Sequence, residues 1–286
     1  MAEKKKMSNL AVRVLSSVIL LPIFLAIIIW GNAWVWAGFI LILACLGGWE
    51  FMKITNGQES AAVRGVSVFL SLIPAAAAYL FAGETAPLLC ENSWLIVGAS
   101  CMLMVWATFL FNCFRPRVIE RATQVITGTF GCAAYIGTTL FFWALYKRVL
   151  GDDSAAWIIT LIAMTWMSDT CAYFTGRALG KHKMAPILSP KKSIEGAIGG
   201  FAGALIAAFV ARFIAFDYLP IWQVFVLAIP ANILAQMGDL SESLIKRSYG
   251  IKDSGNLIPG HGGLLDRFDA VIFSAPWVFL FAVFTR

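Results

Sequence analysis

Residues 94–114 read WLIVGASCMLMVWATFLFNCF, from Trp94 to Phe114, without one charged side chain. A transmembrane helix needs about 20 apolar residues to cross about 30 Å of hydrocarbon, and this run has that length. Runs of similar character lie on both sides. Before it come Val14–Trp30, Trp34–Phe51 and Val66–Ala82. After it come Val125–Leu145, Ala156–Phe174, Ala197–Phe216, Ile221–Met237 and Phe268–Phe284. None has the short apolar-polar alternation of a membrane barrel. Composition agrees, with 60% hydrophobic and only 13% charged residues, where a soluble domain carries about 25% charged. The sequence predicts an all-α, polytopic integral membrane protein of nine transmembrane helices.

The first run is longer than the apolar region of a signal peptide, and no A-x-A-like cleavage site follows it. A retained anchor is expected. With the N-terminus in the cytoplasm, all of the 22 Lys and Arg except Lys147, Arg148, Arg212 and Arg286 fall on inner segments. That asymmetry is the positive-inside rule, and losing one span would scramble it. The net charge of +6 is an orientation signal joined to a site signal. A nucleic-acid partner would need a basic soluble face, which the sequence lacks. The six cysteines are scattered, mostly inside spans, without C-x-x-C spacing. They read as small buried apolar residues. Trp30, Trp34, Trp36 and Trp49 read as interfacial belts. Pairs Gly196/Gly200 and Gly199/Gly203 at i,i+4 read as close helix packing.

The chain reads as one membrane domain over 1–286. Spans within 1–123 carry little chemistry and suit a dimer or lipid region, whereas 124–286 hold the catalytic spans and loops. Charge beside hydrocarbon is costly and usually marks a site. Three such places occur. At the end of the eighth span, Asp239, Glu242, Ser243 and Lys246 stand at i, i+3, i+4 and i+7, so a continuing helix would show them on one face. The plainer reading is a solvated helix end with a Glu242–Lys246 pair. Between the eighth and ninth spans runs a glycine-rich loop with Lys252, Asp253, His261, Gly262 and Gly263, flanked by Arg247 and by Asp266, Arg267 and Asp269. Such loops bring backbone N–H groups close to phosphate oxygens. His261 suits loop positioning or a phosphate contact. Asp239 and Asp266 sit at adjoining ends of two consecutive antiparallel spans. Facing carboxylates would repel without a cation, and Mg²⁺ with substrate phosphates completing its shell is the natural reading.

The third place is the sixth span and the loop after it. Ser168 and Asp169 interrupt an apolar helix near its inner end. Arg177 and Lys181 follow, then Ser189, Lys191, Lys192, Ser193 and Glu195 just before the seventh span. A helix N-terminus favours anions, so a phosphate dock is expected. The alternative for Lys181 and Lys183, and to a lesser degree for Lys191 and Lys192, is contact with anionic lipid head groups. His182 reads as surface. The topology places 175–195 and 238–267 on one side of the membrane.

These residues resemble a known family. Ser243, Lys246, Arg247, Lys252, Asp253, Gly255, Pro259, His261, Gly262, Gly263, Asp266, Arg267 and Asp269, at their present spacing, are similar to the signature of the CDP-diacylglycerol synthase, or phosphatidate cytidylyltransferase, family. SDTCAYFTGRALGKH (168–182) and SPKKSIEG (189–196) resemble further segments of it. By motif the resemblance covers about residues 100–286. It implies that CTP and phosphatidate give CDP-diacylglycerol and pyrophosphate with Mg²⁺, at a cytoplasm-facing site. It also implies a homodimer of nine-span protomers. The family's metal site carries over onto Asp239 and Asp266, with a monovalent cation such as K⁺ beside Mg²⁺. Lys246, Arg247, Lys252 and Arg267 carry over as phosphate contacts. Asp253, His261 and Asp269 join the expected catalytic set. Asp169, Arg177, Lys181, Ser189, Lys191, Lys192, Ser193, Glu195, Ser243, Gly262 and Gly263 join the expected substrate-binding set. The compact length fits a bacterial enzyme of the inner membrane. A CDP-lipid phosphatidyltransferase would carry a D-G-x2-A-R motif, which is missing. A transporter would hold its charges at mid-membrane and show an inverted repeat.

Overall fold

The computed structural model describes residues 9–81, 93–114, 119–257 and 262–285. Ten α-helices follow in order: α1 Asn9–Trp30, α2 Ala33–Thr55, α3 Ala61–Phe81, α4 Ser93–Cys113, α5 Ile119–Cys132, α6 Thr138–Val149, α7 Ser154–Leu179, α8 Ile194–Ala215, α9 Ile221–Ser248 and α10 Leu265–Phe284. One π-helical turn, Ala133–Gly137, joins α5 to α6 without a break. Among the described residues eight segments are long and apolar enough to span a membrane, and a shorter apolar stretch, Ser16–Trp30, lies in α1. The protein is an all-α polytopic membrane protein.

A small hairpin departs from pure helix. Strands β1 Lys183–Ala185 and β2 Ser189–Ser193 pair antiparallel between α7 and α8. Ser193 closes the hairpin as N-cap of α8, its Oγ accepting from the Gly196 amide at 3.1 Å. The cap satisfies one of the helix's orphan donors.

The paired glycines of α8 act as the sequence predicts. A Cβ on Gly199 would stand 2.3 Å from Thr175 Oγ1, and one on Gly203 2.5 Å from the Met167 carbonyl oxygen. Small residues thus let α7 and α8 approach closely along their length. The same device brings α9 to α10, where a Cβ on Gly238 would meet the Asp269 carbonyl oxygen at 2.3 Å.

Two sequence expectations need correction. Trp36 is no interfacial residue: it is 0% exposed, donates from Nε1 to the Trp143 carbonyl at 2.8 Å and packs edge-on to that ring. Its indole N–H found a backbone partner, so the whole side chain could enter the core. Trp30 and Trp34 are exposed, as a belt requires. The cysteines are not uniformly buried either. Cys132 is buried, but Cys45 and Cys113 lie on the outer surface of the bundle, where an apolar side chain meets lipid at no cost; among the described residues the cysteines form no disulfide.

α9 carries its helix eleven residues past Met237, the expected end of the span. Its 28 residues rise about 42 Å at about 1.5 Å each, more than the hydrocarbon thickness. The helix is therefore long enough for its last, charged turns to extend beyond the apolar layer.

Candidate active site

Two groups of charged side chains meet where α7, α8, α9 and α10 end or begin. The first lines a cleft of about 460 Å³. Asp169, Tyr173 and Arg177 reach it from α7, Lys191 and Lys192 from β2, and Gln236 and Asp239 from α9. Lys192 Nζ pairs with Asp239 Oδ2 at 2.5 Å. The two loop regions expected on one side of the membrane are therefore in direct contact.

Asp169 and Asp239 share this cleft, and Asp269 of α10 lies within the electrostatic field of both. These carboxylates come from three different helices. Asp269 is fixed in part by its own helix start, Oδ1 accepting from the Ala270 amide at 2.7 Å.

The second group is an ion-paired knot. Lys246 Nζ donates to Glu242 Oε2 at 2.7 Å and to Asp266 Oδ1 at 2.6 Å. The Lys246 and Asp266 side chains are only 11% and 13% exposed. Asp266 Oδ2 accepts from the Ser254 amide, the Ser254 hydroxyl and the Gly263 amide, each at 3.0 Å. Hydrogen bonds that carry charge are roughly twice as strong as neutral ones, so Asp266 binds the glycine loop firmly to the start of α10. Gly262 has φ +86°, a left-handed conformation that only glycine adopts cheaply.

Measured against the sequence, α9 runs on without a break through Asp239, Glu242, Ser243 and Lys246, and the Glu242–Lys246 pair of the plainer reading forms, though buried and not solvated. Asp239 and Asp266 do not share one arrangement: Asp239 pairs with Lys192, whereas both oxygens of Asp266 are taken by donors of the protein. The carboxylate that shares the cleft with Asp239 is that of Asp169, and the neighbouring Gly238 packs against the Asp269 backbone. Glu195 accepts from the Lys181 and His182 amides and pairs with His182 Nδ1 at 2.6 Å, so it folds the turn into the hairpin. Ser193 is engaged as the helix cap. Arg177 and Lys191 face the cleft, and Lys181, Arg247, Lys252, Asp253 and Arg267 are solvent-facing. Arg247 Nη1 donates to the Ile251 carbonyl at 3.1 Å. Ser189 lies in β2 and Ser243 on α9. His261, with Pro259 and Gly260, lies outside the described residues.

The sequence reading passed over a polar relay below the cleft. Asn232 Nδ2 donates to Ser168 Oγ at 2.6 Å, and Gln236 Nε2 donates to Asn232 Oδ1 at 2.6 Å and to the Ala197 carbonyl at 3.2 Å. It ties α7, α8 and α9 together under the charges. Glu50 of α2 was also passed over. It is an acid inside an apolar run, the very signal that drew attention to Asp169.

The residues fit a hard cation. Among the described residues no three His, Cys, Asp or Glu side chains already converge on one metal point. Yet carboxylate oxygens are the right donors for Mg²⁺, which takes few protein ligands and completes its shell with phosphates and water. Glu242 Oε1 is buried without a hydrogen-bond partner, and its charge is felt at Asp269. A buried polar atom left so is costly, although Lys246 already balances this carboxylate through Oε2.

Fold and cleft together define an integral membrane protein with a mixed anionic and cationic site at one end of its helices. Residues 11–285 match the cytidylyltransferase family. The chain belongs to that family and is an enzyme of the nucleotidyltransferase class. It is 33% identical to the phosphatidate cytidylyltransferase of Staphylococcus haemolyticus over 267 residues, 93% of this chain and 96% of that one. The protein of that name from Bacillus subtilis is 37% identical over 154 residues, 54% of this chain and 57% of its own. That from Staphylococcus saprophyticus is 36% identical over 143 residues, 50% of this chain and 54% of its own. The first alignment runs nearly the length of both chains, so the likeness is not confined to the charged loops.

Proposed function

We propose that the protein transfers the cytidylyl group of CTP to phosphatidate, giving CDP-diacylglycerol and pyrophosphate. One observation carries this reading: the cleft sets Lys191, Lys192 and Arg177 beside Asp169 and Asp239, the charge pattern that a triphosphate with a divalent cation requires. The names of the relatives supply the substrates. A phosphate monoester carries about −1.5 to −2 charge at pH 7, so a phosphatidate oxygen attacks the α-phosphorus without a dedicated base. One P–O bond forms there as the bond to the β-phosphate oxygen breaks, and pyrophosphate leaves with the electron pair.

In this reading Lys191, Lys192 and Arg177 bind and orient the phosphates, and catalysis is mostly alignment and charge neutralisation. Asp239 would hold Mg²⁺, with Asp169 and Asp269 in its field, and Asp266 would join only by releasing Lys246. Bound there, the ion would neutralise phosphate charge as it develops; a monovalent cation beside it belongs to the same reading. Asp266 and Lys246 keep the glycine loop and α9 in register. The acyl tails remain in the bilayer, so the reacting phosphate lies at the head-group plane. A homodimer in a bacterial inner membrane completes the proposal and rests on the family resemblance; an N-terminus and cleft facing the cytoplasm are supported by the distribution of Lys and Arg.

Purified protein in mixed micelles with phosphatidate, Mg²⁺ and CTP labelled at the α-phosphate tests it. Label should enter the lipid fraction; a transporter would move solute and leave the lipid unlabelled.

A further inference from the structure

Glu50 lies in α2, about 200 positions from the loop it touches, and is 5% exposed. Its Oε1 accepts from the Leu264 amide at 3.0 Å and its Oε2 from the Leu265 amide at 3.0 Å. The Ser254 hydroxyl stands 3.2 Å from Glu50 Oε2 and 3.0 Å from Asp266 Oδ2, so its single hydrogen is shared between two carboxylates. Leu264 and Leu265 open α10, whose first turn has no side-chain cap of its own. Glu50 caps it from another helix, with a negative charge where the helix end is positive.

The surrounding sequence is shaped to this carboxylate. A Cβ on Gly255 would stand 2.5 Å from Glu50 Oε1, and one on Gly263 would stand 2.8 Å from Glu50 Oε2. A Cβ on Gly47, one turn before Glu50, would meet Leu265 Cδ2 at 3.1 Å. Three glycines on two sides of the contact thus make room for it. Both carboxylate oxygens take N–H donors, a requirement that an amide fails by chemistry and a shorter acid by reach.

We propose that Glu50 is a positioning residue for the reaction: it anchors both ends of the 254–265 loop, and through Ser254 and Asp266 it holds Lys246 and the first turn of α10, with Asp269, in working order. The N-terminal helices thereby enter the chemistry without touching substrate. The proposal rests on the cytidylyl-transfer reading for its kinetic consequence but not for the anchoring itself.

Two measurements on the full-length protein in detergent separate the levels. Amide hydrogen exchange at 254–257 and 262–265, which needs no turnover, should rise in Glu50→Gln and Glu50→Ala, extending at most into the first turn of α10 and the end of α9, with exchange in the other helices unchanged. Label transfer by Glu50→Gln at saturating CTP and phosphatidate should fall by about tenfold or more in kcat, because small misplacements of reacting groups are that costly. Ser254→Ala should add little to Glu50→Ala, since the two act through one contact. Exchange at 254–257 and 262–265 equal to that of the unmodified protein, or kcat within twofold of it, overturns the proposal. Should Glu50→Ala fail to fold, Glu50→Gln and Glu50→Asp decide by the same two readouts. If the unmodified protein labels no lipid, the reaction reading falls while the exchange data still decide the anchoring.

Discussion

Lys192 of the hairpin and Asp239 of α9 are joined by a 2.5 Å ion pair across the mouth of the cleft. The pair links the two segments most heavily charged in the sequence. It also sets a cation that can bind phosphate next to a carboxylate that can bind metal. In the proposed reading substrate enters where the two meet, so each half of the pair has a distinct kinetic signature.

Removing the cation weakens phosphate binding and leaves Asp239 without its partner. Lys192→Ala should raise the KM for CTP or lower kcat by about tenfold or more, in line with about 1.5–3 kcal/mol for a hydrogen bond to a charged group. Lys191→Ala should act in the same direction. Steady-state label transfer at varied CTP checks both, and an unchanged rate law for either would assign that lysine to lipid head groups instead.

Asp239→Asn and Asp266→Asn should both abolish turnover yet differ in stability. Asp239 is about one-third exposed, so its loss should leave the fold intact. Asp266 is nearly buried with Lys246, and breaking such a pair costs about 3–5 kcal/mol. The thermal midpoint in detergent should fall clearly for Asp266→Asn alone. Equal midpoints would mean that the Lys246 knot carries no stability.

Close approach of α9 and α10 rests on Gly238. Gly238→Ala forces a methyl group against the Asp269 carbonyl and should lower both midpoint and turnover by moving Asp239 relative to Asp269. Gly38→Ala is the matched control, since nothing lies within 4 Å of a Cβ there. It should hold or slightly raise the midpoint, because glycine inside a helix costs about 0.5–1 kcal/mol relative to alanine. Similar losses in both variants would refute the packing account.

The proposed reading places a divalent cation among the carboxylates of three helices, where Glu242 Oε1 has no hydrogen-bond partner. Chelation with EDTA should stop label transfer, and added Mg²⁺ should restore it. Turnover that persists in excess chelator would remove the metal from the mechanism.

The helices were legible in the sequence because lipid-facing and core-facing residues are alike apolar: runs such as 94–114 need no partner to be recognised. The face of α9 was legible too, since Asp239, Glu242 and Lys246 are set by the helix period alone. Partners were not. Nothing local says that Lys246 goes to Asp266, or that Lys192 reaches Asp239. Strands of three and five residues containing Pro190 carry no usable period, so the hairpin was hidden. Trp36 and Trp34 look alike in sequence, and only the Trp143 carbonyl distinguishes the buried one. Glu50 met the criterion for a functional acid, but its partners are two backbone amides and one serine hydroxyl of a distant loop, and backbone amides leave no trace in side-chain identity.

The most direct measurement uses two samples of CTP, one labelled at the α-phosphate and one at the γ-phosphate, with the same protein, phosphatidate and Mg²⁺. Label from the α-position should appear in a CDP-lipid and label from the γ-position in pyrophosphate, in equal amounts, with neither product formed by Asp239→Asn. Lipid labelled from the γ-position, or no labelled lipid from a folded and metal-replete protein, would contradict cytidylyl transfer at this cleft.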